Sequence, residues 1–127
     1  MVTFQGKSGR IISGGKLKSS SQKRKRQLGR PAAETQIADE RKRFVRTQGG
    51  NYKIRLFRTK TVSVMNPSTG KAIQAEITDV DTNPASRAFS RRRVITKGAI
   101  LVTSVGKARV TNKPGKEGFV NAVLISE

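Results

Sequence analysis

The chain has no cysteine and no histidine, and the two absences narrow its chemistry. Without thiols a disulfide framework is excluded, and no zinc site built on thiolate or imidazole can form. The commonest general base and every thiol nucleophile are missing too. An enzyme would have to work with carboxylates, lysines and hydroxyls alone. Tryptophan is absent, beside one tyrosine and five phenylalanines, so a core must rely on Ile, Val, Leu and Ala. No run approaches the roughly 20 apolar residues of a spanning helix, and no basic segment shows the continuous apolar face of an interfacial one. The opening Met1-Val-Thr-Phe-Gln-Gly6 lacks the apolar stretch of a secretory signal. The expectation is no membrane partner, and the lack of cysteine suits a reducing cytoplasm.

Carboxylates are scarce as well. Eight of them face 27 lysines and arginines, a formal charge of +19 over 127 residues. Such a chain repels itself unless a polyanion is near. Residues 1–60 hold 17 basic and 3 acidic side chains, whereas an ordinary solvated surface intersperses both signs. The clusters are Lys7 and Arg10; Lys16 and Lys18; Lys23, Arg24, Lys25 and Arg26 with Arg30; Arg41, Lys42 and Arg43 with Arg46; Lys53, Arg55, Arg58 and Lys60; and Arg91, Arg92 and Arg93 with Lys97. This pattern points to nucleic acid. Charge alone does not separate RNA from DNA, and a DNA-binding architectural protein is the alternative. Against it, no recognition helix or apolar wedge is evident.

The order of residues suggests two parts. Over 1–38 neither a period of 2 nor one of 3.6 is sustained; Gly, Ser and basic residues surround isolated Ile11, Ile12, Leu17 and Leu28. That stretch cannot bury enough surface to offset its ordering entropy. It reads as an extended basic arm that orders only against a partner. Gly14, Gly15 and Gly29 would let its backbone lie close to a phosphate ridge, with Arg10 and Lys16 reaching adjacent phosphates. A phosphate-binding loop at Gly9 to Leu17 is rejected: Lys16 falls one place late and Leu17 replaces the hydroxyl.

From 39 to 127 short alternating runs are separated by turn residues, the pattern of an all-β, small antiparallel β-barrel. Arg41–Thr47 and Tyr52–Arg58 flank Gln48-Gly-Gly-Asn51, which reads as a hairpin, with a turn of helix as the alternative for the first run because Arg and Lys also favour helices. Thr61–Met65 and Lys71–Thr78 are joined by Asn66–Gly70, whose Pro67 and Gly70 are turn residues. A helical turn is expected around Ala85–Ser90, and strands at Ala99–Thr103, Ala108–Thr111 and Phe119–Ile125. Ile73, Ala75 and Ile77 share a face, and so do Tyr52, Ile54 and Leu56. Phe44, Tyr52 and Phe119 are assigned to the core and Phe57 fits either side, while Phe4 and Phe89 lie outside the strands, where bases might stack on them. Asp79 and Asp81 are read as partners of nearby arginines or caps of the loop before Pro84, not as a cation site. No serine stands out as a nucleophile. No catalytic residue, metal site or cofactor is assigned.

The runs Arg10-Ile-Ile-Ser-Gly-Gly-Lys16 and Lys23-Arg-Lys-Arg-Gln-Leu-Gly-Arg-Pro31 closely resemble the signature of the archaeal and eukaryotic small-subunit ribosomal protein family known as S-eight-e. The likeness continues through Arg46–Asn51, Thr96–Ile100, Gly106–Thr111 and Asn121–Ile125, nearly the whole chain. The compact length, without the large insertion of eukaryotic relatives, looks like the archaeal form. Ser13 stands where threonine is usual, and Arg26-Gln27 where an aromatic and a glutamate are common. The resemblance implies a β-barrel with a basic extension, bound to small-subunit ribosomal RNA beside neighbouring small-subunit proteins in the cytoplasm, without catalysis. Residue by residue it points to Arg10, Gly14, Gly15, Lys16, Lys23, Arg24, Lys25, Gly29 and Arg30, and to Arg46, Gly49, Gly50 and Asn51 at the hairpin.

If about ten phosphates are neutralised, log affinity for RNA is expected to fall against log salt with a slope of roughly −7 to −9. Equilibrium binding across a salt series measures it, and a slope near zero contradicts the electrostatic reading.

Overall fold

A computed structural model describes residues 3–125. The chain divides into two compact units, Met1–Ala32 and Ala33–Glu127. The second contains a closed barrel of five strands: β6 (Thr61–Met65), β7 (Ala72–Thr82), β8 (Ile100–Thr103), β9 (Gly106–Val110) and β10 (Asn121–Leu124). Each strand pairs antiparallel with the next. The expected antiparallel barrel therefore forms, with one exception at its seam: β10 lies parallel to β6, Asn121 opposite Ser63 and Ala122 opposite Val64. Parity imposes this. Directions alternate along a meander, so the first and fifth strands point the same way, and closing them yields a parallel pair.

The barrel interior is filled by small and branched side chains. Val62 and Val64 point inward from β6, Leu101 from β8, Ala108 and Val110 from β9, and Ala122 from β10. In β7 the buried residues are Ala75 and Ile77, then Val80. That change of phase follows a register shift between Ile77 and Asp79, a bulge that turns the next side chains over. Ile73, expected on the face of Ala75 and Ile77, is exposed at the strand's outer end. Ile95, Ala99 and Val120 close the cluster from the connections. No aromatic side chain is among the buried residues. The assignment of Phe44, Tyr52 and Phe119 to the core is thus corrected: they are 65%, 67% and 51% exposed. A five-stranded barrel is narrow, and Val, Ala and Leu already fill it. Phe57 and Phe89 are half-buried.

A three-stranded sheet precedes the barrel strands: β3 (Gln36–Ile37), β4 (Arg41–Arg46) and β5 (Tyr52–Thr59), with β5 in the middle. The hairpin of β4 and β5 is the expected one. Its turn, Gln48–Gly50, carries two successive left-handed glycines, Gly49 at φ 77° and Gly50 at φ 71°, which any residue with a Cβ adopts at a cost. Leu56 of β5 is fully buried in the barrel core, so this strand ties the sheet to the barrel. Thr35 anchors the segment before β3: its hydroxyl donates to the Leu56 carbonyl at 2.8 Å in a buried setting.

Two short helices lie in the connections. Helix α1 (Arg87–Arg91) falls where a helical turn was expected and is capped by Ser86, whose Oγ accepts from the Ala88 amide. Beside it, buried Asn83 donates to the Val94 carbonyl and accepts from Thr96. Helix α2 (Pro114–Glu117) occupies the last junction, beginning on a proline and ending at Gly118 with φ 86°. A Cβ on Gly118 would lie 2.5 Å from Ile54 Cγ2, so glycine lets this end of α2 press on β5.

The first unit differs from the expected extended arm. Strand β1 (Thr3–Phe4) pairs antiparallel with β2 (Leu28–Gly29), so the described ends of the leader are held together. Between them Arg10 bridges to Lys16 around a tight turn, where the Gly14 amide donates to the Ile11 carbonyl and Gly14 has φ 86°. A 3₁₀ turn over Lys25–Gln27 is closed by the Gln27 side chain accepting from the Arg24 amide. Backbone hydrogen bonds shape this unit; its apolar side chains Phe4, Ile11, Ile12, Leu17 and Leu28 all stay exposed.

A chain begun at Ala33 is expected to keep the barrel's cooperative thermal transition. One begun at Asp39 loses Thr35 and β3, and should melt several degrees lower, as expected for the loss of about 1–3 kcal/mol at a buried hydrogen bond. Equal melting temperatures by circular dichroism would show the segment 33–38 to be passive.

Candidate nucleic-acid interface

Charge is distributed very unevenly between the two units. The stretch 1–32 contains nine lysines and arginines and not one carboxylate. Nothing within it can neutralise those cations, and Lys7, Arg10, Lys16, Lys18, Lys23, Arg24, Lys25, Arg26 and Arg30 are all exposed. The Arg10–Lys16 bridge sets two like charges opposite each other at the base of the turn, an arrangement unfavourable in the free chain. The Arg10 guanidinium donates to the Gly14 carbonyl at 2.9 Å, which orients it, and among the described residues it takes part in no ion pair. Lys23 Nζ sits 5.3 Å above the centre of the Phe4 ring. A groove of about 750 Å³ is lined by Lys7, Lys18, Lys23, Phe4 and serine hydroxyls, a set suited to phosphate oxygens.

The glycines of this unit have separate duties. Gly14 has open space around it, and Gly15 packs against Ile11. Gly29, expected to let a phosphate approach, is instead buried in β2, where a Cβ would lie 2.4 Å from the Gln5 side chain. Its lack of a side chain serves packing inside the leader, so direct contact with RNA at Gly29 is not supported.

In the second unit the hairpin of β4 and β5 carries the densest unpaired charge. Register places Arg43 directly opposite Arg55, and Arg41 opposite Arg58. Lys53 lies opposite Val45 on the face of the Arg43–Arg55 pair. Among the described residues, none of the four arginines takes part in an ion pair. Like charges directly opposed across strands are destabilising, and planar guanidinium pairs suit the bidentate recognition of phosphate. At the tip, Arg46 is exposed opposite Tyr52, and Asn51 donates to the Gln48 carbonyl at 3.2 Å. Asn51 and the left-handed Gly49 and Gly50 therefore shape the turn that presents these cations.

Other basic residues are neutralised locally. Arg92 pairs with Glu34, Arg93 with Asp79 at 3.1 Å, Lys107 with Asp81 at 3.1 Å, and Lys42 with Glu40. Asp79 thus meets an arginine, as the sequence suggested, whereas Asp81 meets a lysine instead. The Arg91–Arg93 cluster is correspondingly weaker than its letters imply, with Arg91 and the exposed Lys97 outside the described ion pairs. Lys60 donates to Asp39 at 2.6 Å, and this bond holds the Asp39 carboxyl below its ordinary range and raises the Lys60 ammonium. Protonating Asp39 as pH falls through that lowered value would release Lys60, so acid adds positive charge beside Arg58. Among the described residues no cluster of three or more metal-ligating side chains exists, and no helix is long and apolar enough to cross a membrane. Pattern analysis missed the exposure of Phe44 and Tyr52 beside these arginines, because alternation reads the same on a covered and an uncovered sheet face.

The family described as Ribosomal protein S8e matches residues 4–125. The small ribosomal subunit protein eS8 of Methanococcoides burtonii is 47% identical over 124 residues, 98% of this chain and 99% of that protein. The eS8 proteins of Methanococcus aeolicus and Methanoculleus marisnigri are 45% and 44% identical over 128 and 125 residues, covering each relative fully and 100% and 98% of this chain.

Replacing one member of an opposed pair should have two opposite effects. Arg43→Gln is expected to raise stability at low salt by a few tenths of a kcal/mol, a gain that fades with added salt, while lowering affinity for polyanionic RNA. Thermal melts at two ionic strengths and a binding titration check both; loss of stability at low salt would contradict the strain reading.

Proposed function

The chain belongs to the ribosomal protein S8e family, and from that premise we propose that it is a structural protein of the cytoplasmic small ribosomal subunit that binds and stabilises small-subunit ribosomal RNA. The observation that carries the reading is positive charge that, among the described residues, no carboxylate pairs with: all nine cations of 1–32 and the two opposed arginine pairs of the hairpin. A protein that only had to fold would gain by removing such charge. RNA phosphates resolve the repulsion at the moment of assembly.

In this reading the leader supplies Lys7, Arg10, Lys16, Lys18 and the run Lys23–Arg26 with Arg30, with Gly14 and Gly15 allowing the turn between them. The barrel unit supplies Arg41, Arg43, Arg55 and Arg58 from the hairpin ladder and Arg46 from its tip, with Arg91 and Lys97 as weaker contributors. The protein takes no part in catalysis and needs no cofactor. It acts by lowering the repulsion between RNA segments that must lie close together, next to other small-subunit proteins.

Filter binding with small-subunit ribosomal RNA, competed by duplex DNA of equal phosphate content, tests the assignment. RNA is expected to compete far better. A combined replacement of Arg41, Arg43, Arg55 and Arg58 by glutamine should make the slope of log affinity against log salt less steep by roughly three. Equal competition by DNA, or an unchanged slope, would count against RNA assembly and against the hairpin respectively.

A further inference from the structure

The hairpin has a second face, which the charge argument does not use. In the ladder Phe44 lies opposite Ile54 and Arg46 opposite Tyr52, so these four side chains share one side of the sheet. Along β5 the burial on this side falls steadily: Leu56 is fully buried, Ile54 is half-buried beneath Gly118, and Tyr52 is 67% exposed. Phe44, diagonal to Tyr52 and 65% exposed, continues the same uncovered surface. Diagonal neighbours across a ladder lie within reach of each other when they are aromatic. The barrel core therefore ends at Ile54, and two aromatic rings project beyond it.

We infer that Phe44 and Tyr52 form a stacking platform for unpaired nucleobases of RNA, an inference that rests on the RNA-binding reading above. The charge around the rings selects this occupant. Arg46 stands on the same face beside Tyr52, and the opposite face carries Arg43, Arg55 and Lys53. A partner that places apolar surface on the rings must also accept the Arg46 cation beside Tyr52, and an unpaired nucleotide offers a flat π-face with a phosphate attached. Every base has such a face, so the platform tolerates sequence. Rigid antiparallel backbone holds the rings in place, and the closed turn at Gly49 and Gly50 fixes the register. Arg46 is placed to reach the phosphate of a base stacked on Tyr52, its neighbour across the ladder.

The chain carries its own reporter, because Tyr52 is the sole tyrosine and there is no tryptophan. Full-length protein is titrated with a single-stranded oligoadenylate and with the same oligonucleotide made abasic, which keeps the phosphates and removes the bases. Tyr52 emission is expected to be quenched by the first and little changed by the second. Phe44→Ala and Tyr52→Ala should each weaken oligoadenylate binding about tenfold, leave abasic binding and the salt slope unchanged, and melt near the parent because both rings are exposed. Tyr52→Phe should keep the affinity. If both alanine variants bind oligoadenylate like the parent and the emission does not respond, the platform is wrong while electrostatic RNA binding stands. Failure of both oligonucleotides to bind would overturn the RNA reading and the platform together. Loss of incorporation into small subunits by the alanine variants, with oligoadenylate binding intact, would assign the rings to a protein neighbour and overturn the inference.

Discussion

Positively charged residues set opposite one another by backbone pairing are the constraint on which the rest of this structure depends. An antiparallel ladder lets residues in register choose neither distance nor partner, so Arg43 must face Arg55 and Arg41 must face Arg58. The Arg10–Lys16 bridge repeats the arrangement on a smaller scale in the leader. Carboxylates are present in the chain, yet those in ion pairs serve other cations: Lys42, Lys60, Arg92, Arg93 and Lys107. The opposed arginines are left as a preformed demand for anions. Because strands carry them, the backbone positions from which these side chains project are fixed in advance.

The barrel makes that demand tolerable. Its five strands close through a parallel seam and enclose an interior of valine, alanine, leucine and isoleucine. Leu56, at the inner end of the hairpin strand, is locked into this interior, while the outer end of the same strand carries Tyr52 and the basic residues around it. Repulsion in the outer half can thus be borne by hydrophobic burial in the inner half. The same division explains the uncovered rings. Aromatic side chains have no room in so narrow a barrel, and at the tip they are available to a partner.

The leader shows another balance. None of its described apolar side chains is buried, and its described structure consists of backbone pairing between β1 and β2, one tight turn and one 3₁₀ turn. A segment so built, with every charge of one sign, owes its form to local backbone hydrogen bonds and not to a core. Extended conformation, expected from its composition, and the looped form of the structure are two ways to satisfy the same backbone groups.

Much of this was legible in the residues themselves. Scarce carboxylates identified a polyanion binder; period-two alternation and turn residues located the hairpin, the barrel strands and the capped turn after Pro84; the motifs around Gly14, Lys23 and Gly49 indicated the family. These are local properties, read from neighbours in the chain. What only the tertiary structure decided was non-local: that Arg92 and Arg93 meet Glu34 and Asp79, that Gly29 lies under Gln5, that arginines oppose arginines, and that Phe44 and Tyr52 face outward. Each depends on register and on which sheet face finds a cover. Alternation says that a strand has two sides, but only the path of the whole chain, set by the parity and width of the closed barrel, decides which side is buried and how far along it burial extends.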